Sequence, residues 1–235
     1  MVTAPTANPL IRMHDASTPA KDSYYSPIRK VSLTVDEGSL VVIHVEPGHQ
    51  NSPFAGLAQG LIPTGTGVVE FRGKPWTSLT DFEAVEARGK MGRVFDEHAW
   101  ISNIAMLDNI LLASRYHSHD TDQMLIAEAL QWCRRFGYKD IPRIRSQNVP
   151  LDQLKVCQWI RACMQSPRVL LLEHPERNVS SNSVQLLADA VDDLRRTGAG
   201  VLWVTDRGNP PSAPDLSKPK IYTKRGDELI AENSK

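Results

Sequence analysis

A phosphate-binding loop is expected at residues 45–57, VEPGHQNSPFAGL, where an apolar strand runs into a predicted helix. Such a loop has the form Gly-x-x-x-x-Gly-Lys-Ser/Thr, in which backbone N–H groups cradle phosphates, the Lys reaches the β- and γ-oxygens and the hydroxyl meets Mg²⁺. Counted from Gly48, its last three positions hold Pro53, Phe54 and Ala55. Pro53 lacks the N–H donor, Phe54 lacks the cation and Ala55 lacks the hydroxyl. Losing these contacts weakens the free energy of phosphate binding by about 5 kcal/mol. We therefore expect ATP and Mg²⁺ to bind weakly or not at all.

The histidines and cysteines do not have the spacing of metal ligands. Cys133, Cys157 and Cys163 are odd in number and lie in segments with helical periodicity, which is typical of reduced, buried thiols in a cytosolic protein. His117 and His119 have no neighbouring Cys or paired carboxylates, so we interpret them as solvated. The sequence predicts no metal site.

Composition excludes several classes of protein. The chain has 235 residues, 41% of them hydrophobic, and a formal net charge of zero, so it can form one domain of ordinary size and gives no electrostatic reason to expect nucleic acid as a partner. No apolar run approaches the roughly 20 residues that span a bilayer. Residues 1–22 are polar and lack a secretory h-region. We predict a flexible tail at 1–22 and a domain at 23–235.

Strand and helix patterns alternate along the domain. Ser52 is expected to cap a helix that begins at Pro53, and the helix at 121–136 is expected to present Met124, Leu125, Ala127, Leu130 and Trp132 on one apolar face. Strands are predicted at 30–35, 39–46, 68–71, 169–172 and 201–205, helices at 53–60, from about 107, at 121–136, 151–165 and 181–196, and a hairpin turning at 225–227.

These patterns predict an α/β fold. Apolar strands that alternate with helices favour a mostly parallel sheet core, and the strand-rich start favours an antiparallel β flank. The mostly helical stretch at about 97–165 is interpreted as a helical subdomain.

The same segments, in their order and spacing, resemble the nucleotide-binding subunit of an ABC transporter. The matching segments are VSLTVDEGSLVVIHVEPG, which is similar to the family's entry hairpin and first core strand, LIPTGTGVVEFRGKPW, MGRVFDEHAWISNIAMLDNILLASRYH, IRACMQSPRVLLLEHPE, GVLWVTD and KIYTKRGDELIAEN. The resemblance implies the ABC ATPase-like fold for nearly the whole chain after the tail.

The resemblance also implies where catalytic groups should be, and most are changed. Asp96 stands where the family's Q-loop Gln senses Mg²⁺ and water, and Asp206 replaces the H-loop His. Glu173 stands for the Walker B Asp and His174 for the catalytic Glu. His174 can accept a proton near neutral pH, but without a held phosphate and metal it has no substrate to act on. We therefore expect no catalytic residue and no ATPase activity.

The signature motif is changed as well. By the resemblance, Leu-Ser-Gly-Gly-Gln falls on Val149, Pro150, Leu151, Asp152 and Gln153, which keeps only the last residue. In the family this motif approaches the γ-phosphate held by the opposite subunit, whereas here Leu151 is bulky and Asp152 repels an anion. Asp152 instead lies in a first helical turn, where a carboxylate complements the helix dipole.

The function implied is that of a noncatalytic subunit that docks on an integral-membrane permease. Such a subunit pairs with a second ABC ATPase-like chain, as a homo- or heterodimer, on the cytoplasmic side of the inner or plasma membrane. The segment ISNIAMLDNILLASRYH is most similar to ATPase subunits of Mce-linked phospholipid transporters, and this resemblance implies lipid transport. The permease groove is expected to be lined or supported by Phe95, Trp100, Ile101, Ile104 and Leu107.

Two alternatives stay open. In the first, the chain is the degenerate half of a heterodimer that still binds or helps turn over ATP with an intact partner. Or it is an enzyme that binds nucleotide in an unusual way, with Glu173 as metal ligand and His174 as base.

Overall fold

The computed structural model describes residues 9–20, 24–47, 52–97 and 99–232. Two short 3₁₀ turns, Trp76–Ser78 and Ser146–Asn148, lie between its longer elements. The strands are β1 (Ile11–Ser17), β2 (Val31–Val35), β3 (Leu40–His44), β4 (Thr66–Phe71), β5 (Lys74–Pro75), β6 (Met91–Val94), β7 (Val169–Glu173), β8 (Gly200–Thr205), β9 (Lys220–Arg225) and β10 (Glu228–Ala231). The helices are α1 (Phe54–Ala58), α2 (Asp81–Arg88), α3 (Met106–His117), α4 (Asp122–Arg135), α5 (Leu151–Cys163) and α6 (Ser181–Arg196).

The strands form two sheets. A six-stranded sheet has the order β10-β9-β3-β8-β7-β6, in which every pair is parallel except β10 with β9. A four-stranded antiparallel sheet has the order β2-β1-β4-β5. The predicted α/β class, with a mostly parallel core and an antiparallel flank, is confirmed.

The larger sheet is buried on both faces because alternate residues of each strand enter different cores. In β3, Leu40 and Val42 pack with residues of α3–α6, whereas Val41 and Ile43 pack with α1 and the antiparallel sheet. The central strands β7 and β8 divide their side chains in the same way. This sandwich fixes the carboxyl ends of β6, β7 and β8 side by side.

Three helices, α3–α5, lie within the range predicted as a helical subdomain and pack against one another. Helix α5 also lies directly on β6. A Cβ at Gly92 would stand 1.8 Å from the carbonyl oxygen of Ala162, so this close approach requires glycine. The loop after β6 is therefore held against α5.

The predicted tail is wrong for residues 11–17. Strand β1 pairs with both β2 and β4, and its side chains Ile11, Met13 and Ala16 are buried. The polar pair His14-Asp15 interrupts the alternation at an irregularity in the strand, and Asp15 has φ 46°. That interruption is why the sequence pattern does not reveal the strand.

The entry hairpin implied by the resemblance is also corrected. Strand β2 pairs with β1, and β3 pairs with β8 and β9, so the turn at 36–39 carries the chain from one sheet to the other. Strand β3 is buried from Leu40 to Ile43, which suits a central position between two neighbours rather than one arm of a surface hairpin.

Two helix details differ from prediction. Helix α1 begins at Phe54, with Pro53 as the residue before it, and the buried Ser52 Oγ has no hydrogen-bond partner among the residues that the structure describes, so Ser52 does not cap the helix there. In α4 the buried stripe is Leu125, Ala129 and Cys133, at i, i+4 and i+8. The predicted apolar face was offset from this buried stripe. Two residues of the predicted face, Met124 and Ala127, are exposed.

The three cysteines are free and buried, as predicted. Burial raises the pKa of Cys157 and of Cys163 to about 12. Among the helices of the described residues, none combines the length and apolar character that crossing a membrane requires.

Candidate functional site

A cluster of charged side chains lies at the carboxyl ends of β6, β7 and β8. In parallel sheets this edge is where ligands commonly bind. Asp96 follows β6, Glu173 ends β7 and is followed by His174, and Asp206 follows β8. The structure thus brings together four residues that the sequence assigned to three separate motifs.

Arg177 joins two of these loops. Its guanidinium donates to Asp96 Oδ1 and, at 2.8 Å, to Asp206 Oδ2. Burial lowers the pKa of Arg177, but the two carboxylates outweigh that effect and leave it raised. For Asp206, burial acts to raise the pKa, but the hydrogen bond and positive charge of Arg177 act in the opposite direction. The pKa of Asp206 is therefore lowered. The charges at the Q-loop and H-loop positions are therefore paired within the chain.

Glu173 is held by a different arginine. Arg93, on the neighbouring strand β6, donates from Nε to Glu173 Oε2 at 2.9 Å, and its Nη2 forms an ion pair with the same oxygen at 2.9 Å. The same guanidinium donates to Gln59 Oε1 at 2.9 Å. Burial raises the pKa of Glu173, and Arg93 offsets only part of that rise. The Walker B carboxylate position is thus engaged in an ion pair rather than open to solvent.

His174 is buried without a hydrogen bond to its ring. Its backbone lies in the left-handed region, at φ 43°, and its side chain is fully covered. Among the described residues, neither ring nitrogen has a hydrogen-bond partner. Its Nδ1 lies 3.7 Å from Asp206 Oδ1 and 3.9 Å from Glu176 Oε1. Burial lowers the pKa of His174, which favours the neutral imidazole near pH 7.

Helix α5 supports the cluster from one side. Lys155 Nζ donates to the carbonyl oxygen of Phe95 at 3.2 Å, and the amide of Phe95 donates to Gln158 Oε1 at 3.1 Å. Trp159 Nε1 donates to the carbonyl of Pro175 at 3.2 Å. Burial lowers the pKa of Lys155. These bonds fix the loops after β6 and β7 to one helix.

Sequence reasoning missed several members of the cluster, because their partners are distant in sequence. Glu176 accepts a hydrogen bond from the Thr205 hydroxyl at 2.6 Å, and Arg177 and Arg93 each reach a neighbouring strand or loop. The sequence offered one signal for Glu176 and Arg177, which is that they come shortly after the apolar strand β7 and His174.

The end of the expected phosphate loop is part of the core. Phe54 is 0% exposed and Ala55 is buried, and both belong to the core that α1 shares with the antiparallel sheet. Pro53 precedes the helix. Gly48, the first residue of the motif, lies outside the described residues.

The five signature positions lie around the start of α5. Val149 is buried, Pro150 precedes the helix, Leu151 is 54% exposed and Gln153 is half-buried. Asp152 lies in the first helical turn and accepts a hydrogen bond from the Tyr138 hydroxyl at 3.2 Å. The start of α5 therefore presents an exposed leucine and an exposed carboxylate.

A groove of about 290 Å³ lies between β6, α3 and the end of α5. Of the five residues predicted to line or support a permease groove, its lining includes Phe95, beside Met91, Leu112 and Met164. The lining residue Arg161 lies over the rings of Phe95 and Trp100, at 5.6 and 4.3 Å.

The remaining predicted groove residues differ in exposure. Trp100 and Leu107 are half-buried against the helical core, Ile104 is half-buried and Ile101 is exposed. Trp100 therefore supports the groove through Arg161, and the sequence missed Leu112 and Met164 as lining residues.

The chain is similar to ATP-binding proteins of bacterial importers. A phosphonates import ATP-binding protein of Synechococcus sp. is 22% identical over 174 residues, covering 71% of this chain and 65% of that protein. A ribose import ATP-binding protein of Rhodopirellula baltica is 21% identical over 180 residues, covering 75% of this chain and 35% of that protein. The chain thus spans about one third to two thirds of the length of these relatives. No family model matches the sequence.

Solved structures are similar over nearly the whole chain. The dimeric bacterial ABC transporter cassette MJ0796 has a TM-score of 0.82 and 19% identity, covering 93% of this chain and 96% of that one. An ATP-binding subunit of an ABC transporter has a TM-score of 0.76 and 12% identity, covering 94% and 88%.

Proposed function

The chain has the fold of an ABC transporter ATP-binding cassette, and from this premise we propose that it is a noncatalytic subunit, a pseudo-ATPase, of such a transporter. In this role it docks on a membrane permease from the cytoplasmic side and supports assembly or regulation. The observation that carries the proposal is the complete burial of Phe54 in the core.

Phe54 occupies the position at which the phosphate loop needs its lysine. A fully buried ring offers no cation and no hydrogen bond to a phosphate. A lysine there would have to leave the core or bury an unpaired charge, which is strongly unfavourable. The local packing therefore favours a structural role for this position.

The charged cluster supports the same conclusion. Arg177 pairs with the carboxylates at the Q-loop and H-loop positions, and Arg93 pairs with Glu173. A metal–nucleotide complex that used these carboxylates would have to break those ion pairs. His174 is fully covered, so a reacting water does not reach it without a rearrangement.

The groove is the proposed docking surface for the permease. Its apolar residues Met91, Phe95, Leu112 and Met164 suit a short amphipathic helix, and the neighbouring Arg161 suits an acidic residue on that helix. The relatives are named for phosphonate and ribose import. The narrower resemblance to Mce-linked lipid transporters stays a prediction from the sequence.

A second candidate is the degenerate half of a heterodimeric ABC ATPase that still binds or helps turn over ATP with an intact partner. The observation that favours pairing is the exposure of Leu151, 54%, at the signature position. Composite sites of this kind use one chain's phosphate loop and the other chain's signature. ATP turnover that survives loss of the partner's phosphate-loop Lys would contradict this arrangement.

Gentle membrane extraction tests the proposed role directly. A tagged full-length chain is expected to co-purify with a multispanning permease, in a complex whose ATP hydrolysis is unaffected when His174 is replaced by Ala. Recovery of the chain only as a free monomer, or loss of hydrolysis in the His174→Ala complex, would overturn the proposal.

A further inference from the structure

Three side chains at the end of the central sheet have the composition of a metal-binding set. His174 and Glu176 follow β7, and Asp206 follows β8. One ligand atom from each lies within 4.8 Å of the others. The sequence predicted no metal site because these donors come from two segments that only the parallel pairing of β7 with β8 brings together.

The imidazole of His174 points to a missing partner. It is 0% exposed, and within the described part of the chain neither nitrogen makes a hydrogen bond. Glu176 is 5% exposed, and its Oε2 is also unpartnered there. Buried polar atoms without partners are unfavourable and uncommon, so these atoms call for a ligand.

We propose that His174, Glu176 and Asp206 bind one divalent cation of the zinc class. An imidazole with two carboxylates is a ligand set that zinc and neighbouring transition metals accept, with a water completing the site. Ligands of a tetrahedral zinc ion lie about 3.3 Å apart, as bond lengths of about 2.0–2.1 Å require. The observed separations from His174 Nδ1, 3.7 Å to Asp206 Oδ1 and 3.9 Å to Glu176 Oε1, are wider than that value, and all three ligand atoms lie within 4.8 Å of one another, so metal binding requires the side chains to move closer together.

The neighbouring residues already orient these ligands. The Thr205 hydroxyl donates to Glu176 Oε1, the oxygen that lies 3.9 Å from His174 Nδ1, and Arg177 donates to Asp206 Oδ2 and leaves Oδ1 facing His174. Metal-ligating carboxylates are commonly fixed by such bonds. Arg177 also pairs with Asp96, so its charge is balanced beside the cation.

His174 and Asp206 are also positions that the family resemblance assigns to nucleotide chemistry, but the third proposed ligand, Glu176, is not. The carboxylate that the family resemblance assigns to the nucleotide's Mg²⁺ is Glu173, which Arg93 holds. The proposal therefore does not depend on whether the chain binds ATP.

Zinc and cobalt binding to the full-length chain, first stripped with EDTA, tests the proposal. We expect one zinc per chain, and a visible cobalt spectrum of a nitrogen and oxygen ligand set without a thiolate charge-transfer band. Glu176→Gln and Asp206→Asn are nearly isosteric and are expected to weaken zinc binding by at least the 10–100-fold typical of losing a supporting residue. Thr205→Val, which removes such a supporting hydroxyl, is expected to fall within that range.

Asp215→Asn is the control, because it changes a carboxylate that also pairs with an arginine, Arg196, but is neither a proposed ligand nor a partner of one. Its zinc affinity should equal that of the unchanged chain. No stoichiometric zinc, a cobalt–thiolate band, or unchanged affinity in both ligand variants would overturn the proposal. The cobalt spectrum of the unchanged chain decides the matter if a variant fails to fold.

Discussion

The Arg177 guanidinium lies between the carboxylates of Asp96 and Asp206 and so ties the loop after β6 to the loop after β8. By the family resemblance, Asp96 stands at the position of the Q-loop Gln and Asp206 at the position of the H-loop His. Here one side chain from the loop after β7 links them. The result is a network of paired charges at the carboxyl ends of β6, β7 and β8.

Replacing Arg177 tests how much this link stabilises the fold. Arg177→Ala leaves two mostly buried carboxylates unpaired, and we expect the free energy of unfolding to fall by about 2 kcal/mol. Urea unfolding followed by circular dichroism measures the loss.

Arg196→Ala is the matched control, because Arg196 also binds two carboxylates, those of Asp193 and Asp215, but on an exposed surface. Exposed ion pairs contribute little, so its unfolding midpoint should barely move. Equal losses in the two variants would contradict the structural role assigned to Arg177.

Restoring the phosphate loop should damage the core without producing catalysis. Phe54→Lys removes a fully buried ring, and we expect it to lower the free energy of unfolding by about 3–5 kcal/mol. The control Phe54→Leu keeps the position apolar and should cost less than about 1.5 kcal/mol. Thermal or urea unfolding of both variants measures the difference.

The triple variant Pro53→Gly, Phe54→Lys, Ala55→Ser is expected to show no ATP hydrolysis in a phosphate-release assay. By the family resemblance, its Walker B, Q-loop, signature and H-loop positions still differ from those of an active cassette. Hydrolysis by this variant would show that the loop alone had been limiting.

The buried thiols should be unreactive in the folded chain. Thiolates are the reactive form, and burial raises the pKa of Cys157 and Cys163 to about 12, so at pH 8 both remain protonated. A thiol reagent such as DTNB is expected to label them slowly in buffer and rapidly in urea, as mass spectrometry of the cysteine peptides will show. Rapid labelling of either residue in the native chain would contradict its burial.

The raised pKa values of these thiols also determine how the stability of the folded chain changes with pH. A thiol whose folded pKa exceeds its unfolded value binds its proton more tightly in the folded chain. The associated stability is present below pH 9 and is lost as the pH rises from 9 towards 12. Unfolding midpoints measured across that interval should therefore decrease.

A charge in the groove should weaken permease docking. Leu112 lines the groove and is 49% exposed, so Leu112→Glu introduces a carboxylate where we expect an apolar contact. Co-purification with the permease is expected to drop at least tenfold. Phe82→Glu is the control, since Phe82 is 74% exposed on α2 and does not line the groove. A similar drop in both variants would mean that the groove is not the docking surface.

Sequence patterns predicted the elements whose apolar periodicity is regular. Helix α6 was predicted with its observed bounds, and β7 and β8 were predicted to within one residue, because each is an unbroken pattern with clear flanking signals. Strand β1 was missed because a polar irregularity at His14-Asp15 breaks its alternation. The turn at 36–39 was read as a hairpin because local sequence does not say which sheet a strand joins.

The site was only partly predictable. The resemblance named Asp96, Glu173, His174 and Asp206, and parallel strand pairing brings them to one edge. The partners that neutralise them, Arg93 and Arg177, could not be identified, since the pairing depends on register and rotamer across the sheet rather than on spacing in the chain.

Calorimetry with Mg-ATP on the isolated, full-length chain tests the central claim most directly. A noncatalytic cassette with Phe54 in its core and its site carboxylates paired to Arg93 and Arg177 is expected to give no heat of binding up to millimolar nucleotide. The same titration without Mg²⁺ should be indistinguishable. Saturable, Mg²⁺-dependent binding in the micromolar range would contradict the account and favour the enzyme with Glu173 as metal ligand and His174 as base.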